Sequence, residues 1–98
     1  MAVKVSCDPG RAELVVSGEI DMACATEFLD AVRSIRADGP LCLRMTDVSF
    51  MDSSGIRALL TLARENGPVH ILSPTPQVRR VIAILDVGPN AGIIIEDL

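Results

Sequence analysis

The chain has 98 residues, a net charge of −4 and a pI near 4.7, and 49% of it is apolar, with two Phe and no Trp or Tyr. That length holds one domain around one core and excludes a second lobe with a site of its own. The acidic balance leaves no basic footprint for nucleic acid or an anionic membrane, and the missing aromatics remove base-stacking platforms.

Val3-Lys4-Val5-Ser6-Cys7 alternates like a half-buried strand, and Asp8-Pro9-Gly10 is composed as a turn. A second strand over Ala12–Ser17 is expected to run antiparallel to the first. The turn Gly18-Glu19-Ile20-Asp21 then leads into a helix over Met22–Ala37, with Asp21 as N-cap and Met22, Ala25, Phe28, Leu29, Val32 and Ile35 on its buried face. Gly39-Pro40 closes it. Leu41–Met45 is a compact apolar run, which suits a strand buried on both faces. A short loop follows, and then Asp52, Ser53 and Ser54, all residues that cap helix N-termini. Ile56, Leu59, Leu60 and Ala63 recur at helical spacing, which predicts a helix over Ser54–Glu65 that Asn66-Gly67-Pro68 terminates.

Val69–Leu72 reads as a strand. Thr75 and Pro76 open a third helix, as cap and first-turn proline, over Pro76–Leu85, with Val78, Val81, Ile82 and Leu85 toward the sheet and Arg79 and Arg80 outward. Gly88-Pro89-Asn90 breaks the chain before a last short strand over Gly92–Ile95. The order predicts an α/β fold, a mixed sheet of four or five strands with three main helices. A strand–helix–strand unit in one sheet crosses over right-handed, so strands two and three are expected to run parallel. Their C-terminal ends then meet at one edge, where α/β sheets place their sites. Asp21 and Ser54 become spatial neighbours.

The run Asp47-Val48-Ser49-Phe50-Met51-Asp52-Ser53-Ser54-Gly55 resembles the signature of the STAS family, in particular its bacterial anti-sigma factor antagonists. Gly18-Glu19-Ile20-Asp21 is similar to the family's second recurring motif, and the resemblance spans nearly the whole chain as one domain, 1–98. It implies that Ser54, just before the glycine, is phosphorylated by a partner that is both serine kinase and anti-sigma factor. That partner supplies the ATP, so this chain is a substrate and not an enzyme, and needs no cofactor or metal. A phosphatase of the PP2C type is implied for the reverse step, in a stress-response or sporulation setting. The family also implies partner contact through Asp21, Asp52, Ser53, Ser54 and Gly55. A plain cap accounts equally for Asp21. Two departures stand out. Cys24 and Thr26 lie where the family often has threonine and proline, and the chain stops at Glu96-Asp97-Leu98 where many members continue into a closing helix. The second departure suggests an incompletely covered sheet face at Ile93, Ile94 and Ile95, and with it a homodimer.

Two other functions fit parts of the pattern: a STAS scaffold without a switch, in a stress-signalling complex or beside a lipid transporter, and a small hydrolase using Ser54. For the hydrolase the lone His70 would have to be the base, yet Gly-x-Ser-x-Gly is absent and a histidine inside a strand is more often structural. Cys7, Cys24 and Cys42 are odd in number and widely spaced, so neither disulfides nor a zinc site is expected. The N-terminus lacks the apolar stretch of a signal peptide and no apolar run is membrane-length, which points to the cytoplasm.

Overall fold

The computed structural model describes residues 3–8, 10, 12–35 and 40–97. Strands β1 (Lys4–Asp8), β2 (Glu13–Ile20), β3 (Leu41–Met51), β4 (Val69–Leu72) and β5 (Ile93–Glu96) alternate from β2 onward with helices α1 (Ala25–Ile35), α2 (Ser53–Asn66) and α3 (Pro76–Ile84). A 3-10 turn over Pro89–Ala91 precedes β5. The five strands form one sheet in the order β1-β2-β3-β4-β5, antiparallel between β1 and β2 and parallel thereafter. The expected α/β architecture, the antiparallel opening hairpin and the parallel β2–β3 pair are all present. The end of α1 at residues 36–37, the closing Gly39 and Pro9 of the first turn lie outside the described residues.

Parallel strands taken in sequence order with right-handed crossovers place every helix on the same side of the sheet. Under that layer Leu14, Val16, Ile20, Leu43, Met45, Val48, Met51, Val69, Ile71 and Ile93 are buried against Phe28, Val32, Leu59, Leu62, Val78 and Ile82. The opposite face carries Val15, Cys42, Arg44, His70 and Ile94, which are only half-buried. Leu41–Met45 is therefore covered on one face, not two. On the far face Arg44 Nε donates to Glu13 Oε1 at 2.5 Å, and His70 Nδ1 meets Glu96 Oε1 at 2.6 Å. Of the isoleucine run, Ile93 is buried, Ile94 half-buried and Ile95 exposed, so the uncovered strip is smaller than its composition suggests. No described helix is long and apolar enough to cross a membrane.

Expectations about burial and extent also change. Gly18–Ile20 continue β2 in place of a turn, because they pair with the extension of β3, and residues 46–51 continue β3 and are not a loop. The pairing steps from Val15↔Arg44 to Ser17↔Asp47 and from Gly18↔Val48 to Glu19↔Phe50, so β3 carries one extra residue at each step. Two such bulges space its buried side chains three apart, at Met45, Val48 and Met51, and so hide the alternation of a strand. Met22 is 81% exposed, because residues 22–24 form turns and α1 begins only at Ala25. Ile35 and Leu85, at or beyond the ends of their helices, are exposed as well.

Candidate functional site at the carboxyl edge of β2 and β3

The site is built where β3 outruns its neighbour. Leu72, the last residue of β4, pairs with Arg44, while β3 continues to Met51. Along that extension β2 lies on one side and the start of α3 on the other. Thr75 Oγ1 donates to the Val48 carbonyl at 3.0 Å, and the Gln77 side-chain amide bonds both backbone groups of Met51. The chain then leaves the sheet at Asp52, whose N–H donates to the Ile20 carbonyl at 3.3 Å. That bond joins the two motifs read from the sequence, for Ile20 immediately precedes Asp21.

Asp52 caps α2, whereas Asp21, expected as the N-cap of the first helix, caps the turns that precede α1. Asp21 Oδ1 accepts from the amides of Ala23 at 3.0 Å and Cys24 at 3.1 Å, which closes the turns leading into α1. Asp52 Oδ1 accepts from the Ser54 amide at 2.9 Å, and its carbonyl accepts from Gly55 at 3.0 Å and Ile56 at 3.3 Å. Asp52 thereby satisfies amides that have no partner inside α2. Thus α1 and α2 begin side by side, with the positive ends of both backbone dipoles at one edge. Ser53 is exposed and Ser54 half-buried on the first turn of α2. Gly55 is buried. A Cβ there would lie 2.5 Å from Met51 Cγ and 3.0 Å from the Ile20 carbonyl oxygen, so Gly55 serves close packing of α2 on the strand ends. Burial, and then the hydrogen bond and charge of Asp21, push the Cys24 thiol above its ordinary range, which keeps it protonated beside the cap.

Four of the five residues expected at the site, Asp21, Asp52, Ser53 and Ser54, come together at the rim, and Gly55 lies beneath them. Sequence reasoning missed the apolar flank. Met22 and Phe50, the latter 39% exposed, stand in the open on either motif, one having been assigned to the core and the other to a loop. It also missed Gln77, for which no pattern exists to be read, since its partner is main chain. His70 is not part of this edge. It pairs with Cys42 near the start of β3, nine positions before Met51, which with two of them taken up by bulges is roughly 25 Å along the strand. The triad that a Ser54 hydrolase requires is not assembled.

This arrangement defines a small α/β domain with two helices beginning side by side at one sheet edge. The STAS domain model matches residues 2–93, and the chain belongs to the STAS domain family. Among solved structures, the chain is similar to the anti-sigma factor antagonist SpoIIAA in its unphosphorylated form. The TM-score is 0.64 at 21% identity, over 98% of this chain and 88% of that one. At that identity the likeness establishes a common fold. A sequence comparison with curated proteins gives no significant match.

Proposed function

We propose that the chain is an anti-sigma factor antagonist whose unphosphorylated form docks through the Asp21–Ser54 edge on an anti-sigma factor that is also a serine kinase. Docking frees the sigma factor, and phosphorylation of Ser54 ends it. The chain works in the cytoplasm as a substrate, and a PP2C-type phosphatase resets it. The observation that carries this reading is the Asp52–Ile20 hydrogen bond, which sets the serine pair beside the Gly-Glu-Ile-Asp motif with Ser54 open to a partner.

The chemistry asks little of this chain. The Ser54 hydroxyl oxygen attacks the γ-phosphorus of the partner's ATP, the bond from that phosphorus to the β–γ bridging oxygen breaks, ADP leaves, and the hydroxyl proton passes to a base on the partner. The product brings about −1.5 to −2 charges to the first turn of α2. The positive end of the helix dipole accommodates them there, against some opposition from Asp52, which already holds the amides of Ser54, Gly55 and Ile56. A partner surface shaped around a neutral hydroxyl has no such compensation, and burying an unpaired charge costs about 3 kcal/mol or more, over a hundredfold in affinity.

The test is transfer of label from radiolabelled ATP by candidate anti-sigma kinases to wild type, Ser54→Ala and Ser53→Ala, with partner affinity measured on Ser54→Glu. Label lost only with Ser54→Ala, and over a hundredfold weaker binding of Ser54→Glu at an unchanged melting temperature, are expected. Tight binding by Ser54→Glu overturns the switch and leaves a non-switching scaffold. Label that disappears with Ser53→Ala instead moves the acceptor to Ser53.

A further inference from the structure

The extension of β3 beyond β4 leaves a row of main-chain groups with no strand to pair with. At Met51 both fall to one side chain. The Met51 N–H donates to Gln77 Oε1 at 2.8 Å, and Gln77 Nε2 donates to the Met51 carbonyl at 2.9 Å. Those two bonds reproduce what a neighbouring strand would offer a ladder residue. The amide side chain makes both at once, whereas a carboxylate accepts without donating and an ammonium donates without accepting. Thr75, two residues earlier, donates to the Val48 carbonyl while also capping α3 at Val78. Met51 is fully buried and its successor Asp52 caps the helix that presents Ser53 and Ser54.

We propose that Gln77 is the positioning residue of the phosphoacceptor edge: by clamping Met51 it fixes where α2 begins and hence where the Ser54 hydroxyl stands. This deepens the function proposed above and rests on it for the catalytic consequence. In-line phosphoryl transfer needs the attacking oxygen about 3–3.5 Å from phosphorus, and a displacement of about 1 Å costs on the order of a hundredfold in rate. Gln77 lies outside α2 and two side chains away from the acceptor, so its loss leaves the serines and both caps chemically intact. The rate of transfer within the complex is what falls.

The experiment uses the whole chain with Gln77→Met, which keeps the length and loses both bonds, and Gln77→Glu, which keeps only the acceptor. Amide hydrogen exchange on the chain alone is the first readout. Exchange at Met51 is expected to rise at least tenfold in Gln77→Met, which loses its acceptor, and exchange at Ser54 and Gly55 at least tenfold in both variants, while Phe28 in α1 stays at the wild-type rate. Unchanged exchange at Ser54 and Gly55 overturns the inference without reference to any partner. The second readout is steady-state phosphorylation by the anti-sigma kinase, where kcat is expected to drop at least tenfold with KM within about twofold of wild type. Wild-type kcat in Gln77→Met overturns the positioning role even if exchange has risen. A wild-type chain that no kinase labels overturns the phosphoacceptor reading instead, and the exchange result still decides whether Gln77 holds the edge.

Discussion

Replacing Gly55 with alanine inserts one methyl group into space that the fold already uses. The new carbon would lie 2.5 Å from Met51 Cγ, 3.0 Å from the Ile20 carbonyl oxygen and 3.1 Å from Ile20 Cγ2. Carbon–carbon contacts settle at about 3.5–4.0 Å, so the shortfall toward Met51 is about 1 Å. Met51 is fully buried, and the Ile20 carbonyl is backbone tied to the Asp52 amide, so neither yields freely. Overpacking of this kind costs about 1–3 kcal/mol. Helix propensity opposes it, since glycine to alanine inside a helix recovers up to about 1 kcal/mol. A carbon only 2.5 Å from Met51 Cγ puts the clash in the upper part of that range, about 2–3 kcal/mol, so it wins by about 1–2 kcal/mol and lowers the melting temperature of a domain this size by roughly 5–15 °C. Urea and thermal unfolding of Gly55→Ala beside wild type measure it. Because relief comes from lifting the first turn of α2 off Ile20, affinity for the partner should fall in the same variant. A Gly55→Ala chain as stable as wild type would refute the close-packing account of this position.

On the far face, Arg44→Ala removes the partner of Glu13, which is only 6% exposed, and is expected to lower the urea unfolding midpoint. Adding Glu13→Gln should recover part of that loss, and a neutral Arg44→Ala would show that the pair is solvated. The three thiols should react with a maleimide or disulfide reagent at pH 8 in the order Cys7 first, then Cys42 and Cys24. Cys7 is exposed, whereas burial, with Glu96 and Glu13 behind it, raises the pKa of Cys42, and burial with Asp21 raises that of Cys24. A raised pKa means less thiolate at a given pH, so the lag should shrink as pH rises. Equal rates would contradict both environments. The exposed apolar residues Ile84, Leu85 and Ile95 predict weak self-association that grows with concentration, and sedimentation showing a monomer throughout would exclude it.

Much of this molecule is local and therefore legible in its sequence. Asp52 with Ser53, Thr75 with Pro76, and Gly67 before Pro68 mark helix ends through groups that bond their own neighbours. The structure reproduces the Asp52 and Thr75 caps and the Gly67 amide bonded to Ala63 at 2.9 Å. Topology followed from the handedness of crossovers, a general property of L-residue chains, and it set the Gly-Glu-Ile-Asp motif beside the serine pair. What the sequence withheld depends on partners distant along the chain. The two bulges of β3 arise from how it must pair with β2, and a period of three in Met45, Val48 and Met51 cannot be told from a loop without that pairing. Met22 and Leu85 keep helical spacing after the helix that would bury them has not begun or has ended. Gln77 is the clearest case. A glutamine in the first turn of a helix is composed like any solvated residue, and only the unpaired end of β3, brought against it by the fold, turns its amide into a strand's worth of hydrogen bonds.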